Sequence, residues 1–285
     1  MKSKIRDESA PAVEARDAAA MAKAKARKRF VIFLRIAFLV VILGGWELSA
    51  RLKAIDPFFF SMPSQIFGQV WSWAVEGTAQ GSLWEQIWVT LSETLMGFFI
   101  GAVTGILAGI LLGRNALLAD VFSVYIKIAN SVPRVVLGSI FIITLGLGTA
   151  SKVALAVVMV FFVVFANAFQ GVREADRDLI ANARILGASP RQVTVSVVLP
   201  SALTWITASL HVSFGFALVG AVVGEFLGAR KGIGLMIATA QGTFNAAGVF
   251  AAMLILAVVA LVMEYLITGF ENALVKWRPA PLADS

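Results

Sequence analysis

Six apolar stretches, at about residues 30–50, 88–113, 118–147, 151–171, 202–227 and 249–271, limit what this chain can become. Crossing the hydrocarbon of a bilayer takes roughly 20 apolar residues in a helix, and each stretch approaches or exceeds that length. Lipid offers no partners to backbone N–H and C=O groups, so a spanning segment must satisfy them itself, as an α-helix does. Composition agrees: 59% of the residues are hydrophobic and 14% are charged, against roughly 45–50% and about 25% in a soluble domain. Mean hydropathy is +0.86, more apolar surface than one soluble core of this length can hide. The expected fold is an all-α polytopic membrane protein with about six transmembrane helices.

Several function classes drop out. The net charge of +7 does not mark a nucleic-acid binder, because the basic residues sit at the ends of the apolar spans and form no patch interleaved with aromatics. With no cysteine, disulfides, thiolate metal sites and cysteine nucleophiles are impossible. The single histidine, His211, has no ligand cluster beside it, so no metal or other cofactor is expected. No cluster of His, Asp and Glu suggests a membrane enzyme. No small-residue cleavage site follows 30–43, so the first helix is expected to be retained.

Orientation follows from lysine and arginine. With the N-terminus inside, the inner segments hold sixteen: nine in residues 1–29, Arg114, four in 172–200, Lys276 and Arg278. The outer segments hold five: Arg51, Lys53, Lys152, Arg230 and Lys231. That bias places the N-terminus and the 172–200 loop in the cytoplasm. The third span is irregular, because Pro133 removes a backbone donor; two half-helices, Leu117–Ser131 and Pro133–Leu145, are expected. The segment 54–85, rich in Phe and Trp, suits an interfacial connection. Of the ionisable residues near span ends, Glu47, Lys152 and Arg35 are expected to reach the interface. Gly97, Gly101, Gly105, Gly109 and Gly113, and then Gly220, Gly224 and Gly228, recur four apart. Such spacing lets helix backbones approach closely, either within the bundle or along a dimer seam.

The stretch Gly171–Leu203 is too charged to cross a bilayer cheaply. Leu179, Ala183 and Leu186 have helical spacing. Gly187 offers a stop, and Ser189-Pro190 a new start with a cap. A second short helix is expected to end near Leu199-Pro200. Two short helices joined at a glycine make a knob suited to a groove on a partner.

Ala181-Asn182-Ala183, three residues, Gly187, nine residues, Val197, one residue and Leu199-Pro200 resemble the EAA loop of ABC importer permeases. The sequence departs from that pattern at Ala181, where the family has Glu, and at Asn182, where it has Ala. Ala183–Ser189, Pro133-Arg134, Leu145–Gly148 with Ser151-Lys152, Gly81–Leu83 with Thr90-Leu91, and Gly224–Gly228 followed by Gly232–Leu235 are similar to the subgroup importing sulfonates, nitrate and taurine. The resemblance covers about residues 56–278 and implies a MetI-like type I importer permease fold in a bacterial inner membrane. It implies a homodimer forming the pathway, bound by ATP-binding cassette ATPase subunits and served by an extracytoplasmic binding protein, with membrane lipid around it and no nucleic acid. The implied ATPase-docking residues are Asp178, Ala181, Asn182, Ala183, Arg184, Gly187, Ala188, Ser189 and Pro190. Candidates for the pathway or a gate are Asn130, Arg134, His211 and Glu225, the last equally able to cap locally or to pair with Arg230 or Lys231. The chain has no G-x-x-x-x-G-K-[ST] loop, so it is expected to be a non-catalytic subunit, and the subgroup resemblance implies that its cargo is a small anionic organic solute. The expected organisation is a basic tail at 1–29, a permease domain at 30–278 with its coupling loop at 172–200, and a tail at 279–285. A stand-alone secondary transporter or channel is the alternative, for which an internal repeat would be the usual sign.

Overall fold

The computed structural model describes residues 10–274. The tail at 279–285, Lys276 and Arg278, and the first nine residues lie outside the described residues. All the regular elements among those described are helical: α1 (Ala10–Arg51), α2 (Pro57–Phe60), α3 (Pro63–Val75), α4 (Leu83–Gly113), α5 (Ala116–Ser131), α6 (Leu137–Leu145), α7 (Thr149–Arg173), α8 (Arg177–Ile185), α9 (Pro190–Val193), α10 (Leu199–Leu227), α11 (Ile233–Gly242) and α12 (Ala246–Leu274). Among the described residues, five helices are long and apolar enough to cross a membrane, or six if the bent pair formed by α5 and α6 counts as one span. The chain divides into two units, Met1–Gln65 and Ile66–Ser285.

In the first unit, α1 is one rod that runs from the basic residues near its start through the apolar stretch. Near its far end, Glu47 accepts from the Ser64 amide at 3.0 Å and hydroxyl at 2.8 Å and from Arg51 at 2.7 Å. Glu47 therefore anchors the chain after α1. In the second unit, α4, α7 and α10 form the centre. The glycines expected to mediate close approach do so within this chain. A Cβ at Gly101 would meet the Val157 carbonyl at 2.8 Å, and one at Gly105 would meet the Phe161 carbonyl at 2.9 Å. One at Gly109 would meet the Ala168 Cβ at 2.7 Å, and one at Gly220 the Ala156 Cα, also at 2.7 Å. With little hydrophobic drive between helices in lipid, this backbone proximity is what van der Waals attraction requires. The glycine faces hold α4 and α10 to α7.

The third span breaks where Pro133 predicts. Residues Leu117–Ala129 and Arg134–Leu145 meet at 72°, with Val132 and Pro133 extended between them and a 3-10 turn at Arg134–Val136. Two expectations are corrected. The helix after the knob does not end near Pro200: α9 passes through a π turn at Thr194–Val198 directly into α10. A proline inside a helix lacks a donor and crowds the preceding turn. The wider turn accommodates both, with the Leu199 amide bonding back to the Thr194 carbonyl. Lys152 does not reach an interface but is buried at 1% exposure, donating to the Leu147 carbonyl at 2.7 Å and the Ser151 hydroxyl at 3.3 Å.

Candidate functional site

At one end of the bundle, between α7 and α10, the chain builds the expected knob. Asp176 caps α8, its carboxylate accepting from the Asp178 amide at 2.8 Å and the Leu179 amide at 3.3 Å. Asp178 in the first turn and Arg184 in the last complement the helix dipole. The helix stops at Gly187, whose φ of +83° is a left-handed conformation that costs other residues roughly 1–2 kcal/mol. Ser189 then opens α9 with a capping box: its amide donates to the Gln192 side chain at 2.8 Å and its hydroxyl accepts from the Gln192 amide at 3.4 Å. Pro190 occupies the first helical position, where its missing donor is harmless.

The sequence within the knob has an unusual surface. Ala181, Asn182 and Ala183 lie on α8, Ala188 follows the glycine, and beside them Ile185 and Leu186 are 81% and 87% exposed. Two large aliphatic side chains held open on a charged knob are what a receiving groove would cover.

At the opposite end of the bundle lies a second constellation that the sequence only partly disclosed. Three successive amides at the start of α11 are each bound by a side chain from another helix. Gly232 donates to Gln86 at 2.7 Å, Ile233 to the Thr90 hydroxyl at 2.9 Å, and Gly234 to Glu225 at 2.6 Å. Thr90 in turn donates to Glu225 at 2.7 Å. Helix N-termini leave their first amides unsatisfied, and a carboxylate there is favoured by the dipole. Gln86, Thr90 and Glu225 are all fully buried, so this clip ties α11 to α4 and α10. A methyl group at Gly232 or Gly234 would overlap Glu225, which explains the two glycines flanking Ile233. Lys152 and Glu93, 1% and 3% exposed, complete the cluster, with both carboxylates in electrostatic range of the lysine. Beside it, Lys231 pairs with Glu85.

The four pathway candidates are therefore not brought together. Glu225 caps α11 inside the clip and takes neither Arg230 nor Lys231 among the hydrogen bonds described. Arg134 sits at the break, its guanidinium 4.8 Å over the ring of Phe162 on α7, a cation–π stack. His211 on α10 lies 3.2 Å from Glu264 on α12. Asn130 belongs to α5, and its side chain lies outside the described residues. Gln86 and Thr90 in the clip could have been found from their spacing: Gln86, Thr90, Glu93, Gly97 and Gly101 follow one face of α4.

Residues 101–276 match the family described as the binding-protein-dependent transport system inner membrane component. The chain belongs to that family. This permease is 30% identical to the riboflavin transport system permease protein RibX of Chloroflexus aurantiacus, over 84% of this chain and 88% of the relative. It is 29% identical to the taurine transport system permease protein TauC of Escherichia coli, over 87% and 90%. To the putative aliphatic sulfonates transport permease protein SsuC of Bacillus subtilis it is 34% identical, over 54% and 55%, about half of each chain. Among solved structures it resembles a chain of the inward-facing MetNI methionine ABC transporter with a TM-score of 0.58 at 22% identity, covering 67% of this chain and 95% of that one. The fold is thus MetI-like. The permease is a multi-pass inner-membrane protein and the translocation subunit of an ABC importer, whose family works with ATPase and binding-protein partners.

Proposed function

We propose that two copies of this permease form the translocation pathway for a small organic solute, with the N-terminus and the α8 knob in the cytoplasm. The knob, centred on Asp178–Arg184 and bent at Gly187, docks in a cleft of a separate ATPase subunit. It transmits closure of the ATPase pair to α7 and α10 as a rocking motion. The permease contributes no catalytic group. The observation that carries this reading is the exposed Ile185–Leu186 pair on a capped two-helix knob at a family-specific position. The taurine and sulfonates named for two relatives, with Arg134 at the helix break, favour an anionic solute; the riboflavin of a third keeps the common class at small polar organics.

The test is reconstitution in liposomes with the ATPase and the binding protein, alongside protease accessibility. Residues 174–190 should be cleaved only from the ATPase side, and solute should stimulate ATP hydrolysis. Cleavage from the opposite face would defeat the docking assignment. Uptake driven without ATPase would favour a secondary transporter.

A further inference from the structure

Helix α7 serves as a ruler for depth along the bundle. At its C-terminal end, Arg173 pairs with Asp120 of α5 at 3.3 Å, which marks a charged boundary layer. Farther in, Ile126 of α5 packs against the cluster of Ala119, Phe165 and Phe169, and α10 runs antiparallel to α7, with Gly171 against Ala202 and Gly220 against Ala156. Lys127 follows Ile126 and lies about two turns along α5 from Asp120, and His211 lies midway between Ala202 and Gly220, so the two sit within about two helical turns of one another in depth. His211 thus falls opposite about residue 164 of α7, about 14 Å inside the Arg173 layer at 1.5 Å per residue. Glu264 of α12 shares that depth, since it meets His211 at 3.2 Å.

All three are open on the single copy. Lys127 is exposed, and the side chains of His211 and Glu264 are 26% and 51% exposed. The short stem of a glutamate cannot snorkel across such a depth, and an ionisable side chain turned to lipid there costs about 2.5–3.5 kcal/mol. Open ionisable groups on α5 and α12 at neighbouring depth, one basic and one acidic, need water and opposite charge instead.

We infer that the faces of α5 and α12 carrying Lys127 and Glu264 are turned toward a second copy of this chain across a water-filled gap, so that the two copies together form a charged waist in the permease. The inference rests on the homodimer reading above and adds which faces meet and that they are wet. On α12, Val262 is 52% exposed but points about 200° away from Glu264 at 3.6 residues per turn, which assigns it to lipid. Tyr125, 63% exposed, stands in the same relation to Lys127.

The absence of cysteine makes the test direct. Glu264→Cys, Lys127→Cys, Val262→Cys and Tyr125→Cys are made singly in the full transporter complex and exposed to a charged, membrane-impermeant methanethiosulfonate and to thiol cross-linkers of graded length. A thiol reacts as its thiolate, which needs water, so positions 264 and 127 should label about tenfold or more faster than 262 and 125. Cross-linking at 264 or 127 should give a covalent permease dimer. Equal rates at all four positions would overturn the wet face; labelling without any cross-linked dimer would overturn the shared gap. Variants are scored only where the ATPase still co-purifies and hydrolyses ATP, so a failed waist is distinguishable from a failed docking assignment.

Discussion

The two ends of the helical bundle solve opposite problems. At the α11 end, polar groups are turned inward and matched: Gln86, Thr90 and Glu225 are fully buried and satisfy three consecutive amides. At the α8 end, the backbone is equally well capped, yet Ile185 and Leu186 stand open. The clip spends Gln86, Thr90 and Glu225 on the chain's own backbone amides. The knob is capped in its backbone and unfinished in its side chains. Such a pairing fits a subunit that holds one end of itself together while handing the other end to a separate machine. Damage to the clip should therefore appear as lost stability, and damage to the knob as lost association.

The largest effect should come from Gly234→Val. Its added carbons would overlap the Val222 carbonyl and Glu225, combining overpacking with loss of a buried hydrogen bond, together worth about 3 kcal/mol or more. Thermal unfolding of the purified complex should show a clear drop, with protease cutting between 228 and 245. An unchanged unfolding midpoint would mean that the clip does not hold α11. A smaller and different effect is expected for Leu186→Asp. It removes an open aliphatic from the proposed docking surface and should weaken ATPase association by about 30-fold, or roughly 2 kcal/mol, as central interface residues do. Its unfolding midpoint should not move, because the side chain touches little in the isolated subunit. A shift in stability with association intact would erase the contrast between the two ends.

The knob was legible in the sequence and the clip was not, for a physical reason. Every feature of the knob is local: Ser189-Pro190 starts a helix, Gly187 ends one, and the spacing to Leu199-Pro200 lies within one short segment. The clip joins residues as much as 146 positions apart, and no local propensity announces that Gln86 will receive the Gly232 amide. A face of polar residues continuing into glycines on α4 was visible, but not its partner. Lys152 misled for a related reason. Three residues into α7 it reads as a side chain free to snorkel, and only the convergence of Glu93, Glu225 and the Leu147 carbonyl explains why it stays inside. Pro200 misled because a proline reads as a helix end, whereas a π turn lets the rod continue. Pro133, with no such turn, broke its span as expected.

Gly187 sharpens the comparison most finely, because its two possible roles separate cleanly. Nothing lies within 4 Å of a Cβ placed there, so within the subunit a side chain meets no steric obstacle. What glycine supplies is the positive φ. Asparagine enters that conformation more easily than other residues, while a β-branched side chain resists it by about 1–2 kcal/mol or more. If the hand of the turn is all that matters, Gly187→Asn should retain most solute uptake per ATP hydrolysed. Gly187→Val should lose several-fold, because a re-aimed α8 enters its groove at the wrong angle. If asparagine instead fails as badly as valine, the backbone account is wrong. The empty space beside Gly187 would then be a volume that the ATPase itself fills, and the knob's smallest residue would be a direct contact.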